Sequence, residues 1–292
     1  MKYFVLYNPL AGNGKCAFAV NQINLSEGCE IIYRKMTEIE NYQSFFKSID
    51  REDKVVICGG DGTLNRFVNS VNIDETYNEI LYFAAGSGND FLNDLNLKQG
   101  NKLLPVKEHL KNLPTVLLNG KSYKFINGIG FGIDGYCCVE GDRIRRVKKS
   151  NKPINYTPIA LKGLLYDYTP TNATVTVDGK KFTYKKVWLA PTMKGRFFGG
   201  GMMIAPQQNR KEESGQLTLV VGHNISKLKI ISLFPLIFKG KHIKHTKNVA
   251  IHKGYDISVE FDRPTDLQID GEAFSDILHY EVSAKKPALQ TE

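Results

Sequence analysis

The stretch Cys58-Gly-Gly-Asp-Gly-Thr-Leu-Asn65 decides the fold, because it stands directly between a buried strand pattern, Lys54–Cys58, and a helix pattern, Leu64–Val71. Successive glycines let a backbone approach phosphate oxygens closely, and the N-terminus of the following helix favours anions. The acidic residue among these glycines, Asp61, is explained if its carboxylate holds a Mg²⁺ ion that bridges the phosphates through water. The alternative is a tight turn in which Asp61 only caps the helix. We therefore expect a phosphate-binding loop at the end of a strand.

Strands and helices alternate along the sequence on both sides of this loop. The predicted strands are Tyr3–Tyr7, Glu30–Arg34, Lys54–Cys58 and Ile80–Ala84, and the predicted helices are Lys15–Leu25, Ile39–Ile49 and Leu64–Val71. The segment Thr37-Glu-Ile-Glu40 predicts a capping box before the second helix. Alternation of this length argues for a parallel sheet that is covered on both faces, with ligands gathered at the carboxyl ends of its strands.

The pattern changes near residue 120, where short segments with a period of two replace the alternation. The predicted strands there are Ala173–Val177, Lys181–Trp188, Leu217–Val221, Val249–Ile251, Ile257–Phe261, Leu267–Ile269 and Ile277–Val282. Asp178-Gly179 predicts a hairpin turn, and helical stretches interrupt the series at 154–166 and 228–238. We therefore predict a fold of class α/β + β. An N-terminal parallel-sheet nucleotide-binding domain spans 1–120, and a C-terminal antiparallel β-sandwich domain spans 121–292, with its last residues free to return to the first domain.

Charge is distributed unevenly along the 292 residues, whose net charge is +9. Residues 1–120 carry −2, residues 121–253 carry +17, and the remainder carries −6. The strongly basic middle implies an anionic partner. The longest apolar run, near Ile230–Phe238, is too short to cross a bilayer. Five cysteines with no C-x-x-C pair are typical of reduced thiols, so we expect a cytoplasmic protein.

Two further loops follow predicted strands of the first domain. Tyr7-Asn-Pro-Leu-Ala-Gly12 follows the first strand, and Ala85-Gly-Ser-Gly-Asn-Asp-Phe91 follows the fourth. The first loop alone is equally compatible with a plain turn, whereas the second again combines glycines, a hydroxyl and an acid. Three such loops at one edge of a sheet favour a nucleotide site over three unrelated turns.

Together these motifs resemble the diacylglycerol kinase catalytic domain, which the bacterial lipid kinases share with sphingosine and ceramide kinases. The resemblance continues through the second domain, in the segments Asn127-Gly-Ile-Gly-Phe-Gly-Ile-Asp134, Gly199-Gly-Gly-Met-Met-Ile-Ala-Pro206, Lys239-Gly-Lys-His242 and Asp270-Gly-Glu272. It implies a first domain of the kind found in diacylglycerol kinases and NAD kinases. Where the family usually has D-G-x-L, this chain has Ser214-Gly-Gln-Leu217, so we do not expect the structural Mg²⁺ that the family's Asp helps to hold.

The resemblance also implies roles for individual residues. ATP would be bound by Asn8, Gly12, Thr37, Gly59, Gly60, Asp61, Gly62, Thr63, Asn65 and Ser87. Asp61 would organise Mg²⁺ at the phosphates, while Thr37 is equally well explained as a helix N-cap. Glu272, with Asp270 beside it, would accept the proton of the attacking hydroxyl, which phosphoryl transfer requires. From the residues alone, Asp270-Gly-Glu272 is also compatible with a plain turn that carries an exposed glutamate.

The expected activity is therefore ATP- and Mg²⁺-dependent phosphorylation of a lipid alcohol, with diacylglycerol converted to phosphatidic acid as the leading case. The alternatives are a kinase for a sphingoid base or for NAD, and a non-catalytic lipid-binding protein with the same fold. No nucleic-acid partner is expected, because the basic region lacks a helix-turn-helix, RNA-binding or zinc pattern. A homodimer remains open.

The expected partner is a lipid substrate at an anionic membrane surface, with the protein peripherally associated. The run of 143–152 contains six basic residues in ten and could rest on anionic headgroups near an exposed Phe197, Phe198 and Met202. The alternative is an ordinary solvated helix face.

Overall fold

The computed structural model describes residues 1–9, 16, 19–23, 28–86, 89–97, 100, 102–148, 154–212 and 214–284. The chain divides into two compact units, Met1–Asn112 and Leu113–Glu292. Each is described by itself below.

A five-stranded sheet in the order β2-β1-β3-β4-β5 forms the centre of unit 1. Its strands are β1 (Lys2–Tyr7), β2 (Glu30–Lys35), β3 (Lys54–Gly59), β4 (Glu79–Ala84) and β5 (Leu104–Pro105). The first four pair in parallel, and only the short β5 runs antiparallel to its neighbour β4. Val5 and Val56 pack with Cys16 on one face, while the alternating residues Leu6 and Ile57 are buried on the other. The predicted parallel-sheet domain is thus confirmed.

The helices of unit 1 begin at different residues from those predicted. They are α1 (Tyr42–Lys47), α2 (Asp61–Ser70), α3 (Asp90–Asp94) and α4 (Lys107–Leu110). The predicted capping box Thr37-Glu-Ile-Glu40 is wrong. Thr37 lies in a single exposed 3₁₀ turn, Met36–Glu38, and the cap of α1 is Asn41, whose side chain accepts the backbone N–H of Ser44 at 2.9 Å. Asparagine is as good an N-cap as a hydroxyl residue, and Asn41 directly precedes the first residue of the helix. The predicted helix Lys15–Leu25 lies largely outside the described residues, which show a 3₁₀ turn at Val20–Gln22.

Unit 2 is built on a ten-stranded antiparallel sheet. Its strands are β6 (Thr115–Leu118), β7 (Lys121–Lys124), β8 (Gly128–Phe131), β9 (Thr171–Val177), β10 (Lys180–Leu189), β11 (Thr192–Met193), β12 (Leu217–His223), β13 (Val249–Gly254), β14 (Asp256–Ile269) and β15 (Glu272–Ser283). Asp178-Gly179 forms the predicted hairpin turn between β9 and β10, with φ of 46° and 82°. The antiparallel fold of this domain is confirmed.

One strand of unit 2 is longer than the sequence pattern indicates. The predicted strands Ile257–Phe261 and Leu267–Ile269 are the two halves of β14, whose first half pairs with β9 and whose second half pairs with β8. The register of β14 against β15 shifts between Glu260 and Thr265. Such a bulged strand lets the sheet bend from one packed layer to the next. The rings of Phe131 on β8 and Phe261 on β14 are stacked, with their centroids 4.0 Å apart.

Three α-helices cover the sheet of unit 2. They are α5 (Ile133–Lys148), α6 (Tyr156–Lys162), which continues as a π-helical turn over Gly163–Asp167, and α7 (Lys227–Ile237). The sequence indicates only the end of the first of them, as the alternative helix face at 143–152. No helix in the described parts of the chain is long and apolar enough to span a membrane.

The expected exposed apolar cluster of Phe197, Phe198 and Met202 is wrong, because Phe197 and Met202 are half-buried and Phe198 is buried. Phe198 is 7% exposed and belongs to a buried cluster with Met193 and Ile204, against which Met202 is packed. Phe198 and Met202 exchange two backbone hydrogen bonds of 3.1 Å, so the glycines between them close a tight loop. The side chains of Phe198 and Met202 therefore point into the protein, and this loop presents little exposed apolar surface to a membrane.

Candidate functional site

The loop after β3 turns directly into α2. The carbonyl of Gly60 accepts the backbone N–H groups of Thr63 at 2.9 Å and Leu64 at 3.1 Å, which starts the helix at the residue after the glycines. The side chains of Thr63 and Asn65 are buried under this turn, whereas Gly62 is exposed. The predicted motif is therefore a strand–glycine–helix turn, whose helix N-terminus is suited to an anion.

Asp61 links this loop to the next one. Its Oδ2 accepts the backbone N–H of Asp90 at 2.7 Å and that of Phe91 at 3.4 Å. Asp90 and Phe91 are the first two residues of α3, so the Asp61 carboxylate stabilises the N-terminus of a second helix. The alternative interpretation, in which Asp61 caps a helix, is thus correct. The helix that it caps is α3, however, and not α2, to which Asp61 itself belongs.

Two glycines bring the same loops together through their backbones. A Cβ on Gly86 would lie 2.4 Å from the Cα of Gly60, a separation that real Cβ atoms do not reach. The contact is secured by hydrogen bonds to the carbonyl of Gly59, from the backbone N–H of Ala85 at 2.8 Å and the buried hydroxyl of Tyr82 at 3.0 Å. Only two residues without side chains permit this approach. Ser87, the remaining predicted binder in the second loop, lies outside the described residues.

The register of the sheet aligns the other predicted binders of unit 1. Tyr7 is level with Lys35 on β2 and with Cys58 on β3, and Gly59 is level with Ala84 on β4. Asn8 directly follows β1, and Thr37 lies two residues beyond β2, exposed to solvent. Asn8, Thr37 and the two glycine loops therefore occupy the same carboxyl edge of the sheet. Gly12 lies outside the described residues.

A pair of buried thiols lies beneath this edge, and the sequence analysis did not anticipate it. Cys16 and Cys58 have Sγ atoms 3.4 Å apart, and the Cys16 thiol also donates to the carbonyl of Cys58 at 3.2 Å. Their hydrogen bond lowers the pKa of Cys16 and raises that of Cys58, and burial raises the latter further. Cys58 is the residue before Gly59, so this pair supports the first glycine of the loop.

In unit 2 the Asp270 carboxylate holds a backbone segment in place. It accepts backbone N–H groups from Ile126 at 2.6 Å, Asn127 at 2.9 Å and Gly128 at 3.0 Å. Its own backbone N–H returns a bond of 3.1 Å to the carbonyl of Gly128. Three backbone N–H donors hold the carboxylate in one position and occupy its oxygens.

Glu272 lies two residues further on and is differently placed. It is the first residue of β15 and is exposed. Between the two acids, Gly271 donates its N–H to Gln268 at 2.7 Å, which fixes the turn. Of the two predicted catalytic carboxylates, Glu272 is thus the exposed one, whereas the carboxylate of Asp270 is bonded to the backbone.

Arg210 is a second residue missed by the sequence analysis. It is 8% exposed, and its guanidinium donates to the carbonyl of Ile126 and, at 2.9 Å, to the side-chain oxygen of Asn127. It thus holds the same segment that Asp270 holds, from a position more than 80 residues distant in the sequence. No pattern in a single sequence could identify it.

The described residues contain no group of three or more His, Cys, Asp or Glu side chains arranged to bind a metal. Mg²⁺ usually keeps several waters and is held by one or two carboxylates together with the substrate's phosphates. The single hard carboxylate of Asp61, beside a loop suited to phosphate, fits that form of binding.

Comparison with known proteins agrees with this architecture. Residues 2–116 match the family described as "Diacylglycerol kinase catalytic domain", and residues 127–285 match "YegS C-terminal NAD kinase beta sandwich-like domain". The chain therefore belongs to the diacylglycerol kinase catalytic-domain family and carries the C-terminal domain of its bacterial lipid kinases, as the motifs indicated. Membership of a kinase family supports phosphotransferase activity.

Individual relatives cover most of the chain at low identity. "Diacylglycerol kinase" of Mycobacterium tuberculosis is 27% identical over 299 residues, which cover 99% of this chain and 94% of that protein. "Putative lipid kinase YtlR" of Bacillus subtilis is 26% identical over 264 residues, with 83% and 79% covered. A crystal structure from Bacillus anthracis, described as "a putative diacylglycerol kinase", superposes with a TM-score of 0.67 at 18% identity, covering 98% and 94%. The last of these similarities concerns the fold alone.

Proposed function

We propose that this protein transfers the γ-phosphate of ATP, with Mg²⁺, to the free hydroxyl of diacylglycerol and so forms phosphatidic acid. The observation that carries the proposal is the junction of the two glycine loops, where Gly60 meets Gly86 and Asp61 bonds to Asp90. A turn alone needs neither the backbone contact nor the carboxylate. Together they hold two glycine loops against each other at a helix N-terminus, a position that favours phosphate groups.

In this proposal the residues of unit 1 hold the nucleotide. Gly59–Asn65 would surround the phosphates, and Asn8 and Thr37 at the same sheet edge would contact the rest of the nucleotide. Asp61 would hold Mg²⁺, which supplies neutralisation of the charge on the phosphates when bound. The hydrogen bond from Asp90 keeps the Asp61 side chain in one orientation before any ligand arrives.

Unit 2 would supply the proton acceptor. Glu272 would take the proton of the lipid hydroxyl as its oxygen attacks the γ-phosphorus, a role that needs an accessible carboxylate. Asp270 would act as a positioning residue, since its bonds to Ile126, Asn127 and Gly128 fix the start of the turn that presents Glu272.

A phosphorylation assay tests the proposal. The purified protein is incubated with labelled ATP and Mg²⁺ and, in separate reactions, with vesicles containing diacylglycerol, vesicles containing a sphingoid base, and NAD. We expect label in phosphatidic acid. Label in the sphingoid base or in NAD would show that the acceptor is that molecule and not diacylglycerol. ATP binding without transfer to any acceptor would favour the non-catalytic alternative.

Substitution of the base sharpens the test. Glu272→Gln should lower turnover by about 100-fold or more, the usual worth of a general base. Glu281→Gln is the matched control, because Glu281 is an exposed glutamate on the same strand and lies 3.3 Å from His279. Full activity of Glu272→Gln would remove Glu272 from the mechanism.

A further inference from the structure

Helix α7 is apolar on more of its surface than its packing uses. Seven of its eleven residues are Ile, Leu or Phe, but only Ile230 and Leu233 are buried. These two pack against Trp188 and Ile225. Leu228 is 84% exposed, the highest fraction for any large hydrophobic side chain in the described residues, and Phe238 just after the helix is 43% exposed. Phe234 and Leu236 are partly buried against the same cluster, and Ile237 packs against a neighbouring one, so the exposed apolar surface lies at Leu228 and Phe238.

A hydrogen bond places a second exposed apolar residue beside this helix. The Lys227 ammonium donates to the carbonyl of Leu165 at 2.7 Å, which joins the start of α7 to the π-helical turn Gly163–Asp167. Tyr166 follows Leu165 and is 76% exposed, and Leu228 follows Lys227. In the described chain, Leu228 and Tyr166 are the two most exposed large apolar side chains. Each directly follows one of the two residues that this hydrogen bond joins. Tyrosine, with an apolar ring and a polar tip, is suited to a water–lipid boundary.

The sequence on either side of α7 is rich in lysine and contains no acidic residue. Residues 214–255 contain seven lysines and no aspartate or glutamate. Lys239, Lys241, Lys244 and Lys247 are exposed immediately beyond the helix, where Gly240 adopts φ of 62° and begins the 3₁₀ turn Lys241–Lys244. The Asp167 carboxylate beside Tyr166 is paired with Lys162 at 2.9 Å. An apolar patch bordered by exposed lysines repels other cationic surfaces and matches an anionic one.

The basic run on α5 differs in this respect. Arg143 is paired with Glu140 at 2.6 Å, and Arg145 is paired with Asp142 at 2.8 Å. These pairs lie within the same helix and neutralise much of its charge locally. The expected membrane contact at 143–152 is therefore weaker electrostatically than the sequence alone indicates.

We propose that α7, with Tyr166, Leu228 and Phe238 as its apolar contacts and Lys239, Lys241 and Lys244 as its cationic border, is the surface by which this protein docks on an anionic lipid bilayer. The helix would lie in the plane of the interface, with its apolar side chains among the acyl chains and its lysines at the headgroups. The inference deepens the proposed function, because it assigns the surface at which a bilayer-resident substrate is reached. An anionic bilayer matches this surface better than a protein partner does, because binding to it requires only exposed apolar side chains and nearby positive charge.

Vesicle co-sedimentation without ATP tests the surface independently of catalysis. Wild-type protein should bind vesicles rich in phosphatidylglycerol, bind phosphatidylcholine vesicles far more weakly, and lose binding as salt rises. The triple variant Lys239→Gln, Lys241→Gln, Lys244→Gln should weaken binding on the order of 100-fold, since each lysine near an anionic surface contributes roughly a factor of 5 to 6. The double variant Tyr166→Ser, Leu228→Ser should weaken it by about 10-fold or more.

Matched controls separate the surface from bulk charge. Arg143→Gln, Arg145→Gln, Arg146→Gln removes the same formal charge from α5 and should change binding by less than about 3-fold. Equal losses in the two triple variants would overturn the proposal in favour of unspecific attraction. Vesicle binding that both the lysine and the apolar variants leave unchanged would also overturn it. So would wild-type protein that binds no vesicles but self-associates through Leu228.

Turnover distinguishes this proposal from the proposed function. On a water-soluble short-chain diacylglycerol the lysine variant should retain wild-type activity, while on vesicles its activity should fall with its binding. Wild-type protein that binds anionic vesicles yet phosphorylates no lipid would refute the proposed function and leave the docking surface standing.

Discussion

The Asp61 carboxylate accepts the backbone N–H of Asp90 at 2.7 Å, across 29 residues of sequence. This bond connects the first residue of α2 to the first residue of α3, so one side chain sets the spacing of two loops at the sheet edge. The charge that would attract Mg²⁺ and the oxygen that caps a helix therefore belong to the same group. These two duties can be separated by choosing the replacement.

Asp61→Asn should remove the first duty and spare the second. Its amide oxygen can still accept the N–H of Asp90, so unfolding in urea should stay within about 1 kcal/mol of wild type while turnover falls by at least about 100-fold. Asp61→Ala should lose turnover and also about 1–3 kcal/mol of stability, because the N–H of Asp90 is left without its acceptor. Asp74→Asn, at an exposed acid of the same unit, is the control. Equal stability of the Asn and Ala variants would contradict the capping role.

Gly86→Ala should destabilise unit 1 through backbone contact alone. The added Cβ would sit 2.4 Å from the Cα of Gly60, and backbone cannot yield as a flexible side chain can. We expect a loss of about 1–3 kcal/mol in urea unfolding, the usual cost of overpacking. Gly62→Ala is the stability control, because nothing lies within 4 Å of the Cβ it would gain and it sits in a helix that alanine favours. A Gly86→Ala protein as stable as wild type would show that the two loops can separate freely.

The strands β1, β3 and β4 could be predicted closely because their central residues are buried on both faces and form apolar runs, whereas β2 at the edge of the sheet is largely exposed. The helix α5 could not, although it is the longest in the described residues. Its sequence carries Gly135 and Gly141, which lower helix propensity. Gly135 is required there because a Cβ would lie 2.2 Å from the carbonyl oxygen of Asp266 on β14. Packing against the sheet, which the local sequence does not reveal, outweighs the local preference.

The candidate site divides in the same way. Glycine loops after strands could be placed at one edge because parallel strands end together. The contacts that support them could not, since Cys16 reaches Cys58 across 42 residues and Arg210 reaches Asn127 across 83. Such pairs depend on which strands and loops become neighbours in the folded units. The sequence pattern restricts those choices but does not specify side-chain contacts.

Asp270 and Glu272 should separate cleanly into a stability residue and an activity residue. Asp270→Ala leaves three backbone N–H groups without their acceptor and should cost about 3 kcal/mol or more in urea unfolding. Asp270→Asn should fall between, because one amide oxygen remains and asparagine tolerates the φ of 46° found here. Glu272→Gln should unfold as wild type does, since its side chain is exposed. A stable Asp270→Ala protein would refute the anchoring role.

Asp134 predicts a pH dependence of the protein's stability. Its side chain is 9% exposed on α5, and burial raises its pKa to about 6, against the opposing approach of the Gln268 amide and nearby backbone N–H groups. The folded protein thus binds this proton more tightly than the unfolded chain does. The resulting stabilisation is complete below the unfolded pKa near 3.8 and is lost as pH rises through about 6.

The side chain of Asp134→Asn cannot ionise. The stability of this variant relative to wild type should therefore increase as pH rises. Relative to wild type, its free energy of unfolding should increase by on the order of 2–3 kcal/mol between about pH 4 and about pH 8, as the raised pKa requires. Urea unfolding at several pH values measures this difference. Asp262→Asn, at an exposed acid on β14 that accepts from Asn172 at 2.7 Å, should show no such trend. If the stability difference between Asp134→Asn and wild type stays constant with pH, the Asp134 carboxyl is not held protonated by burial.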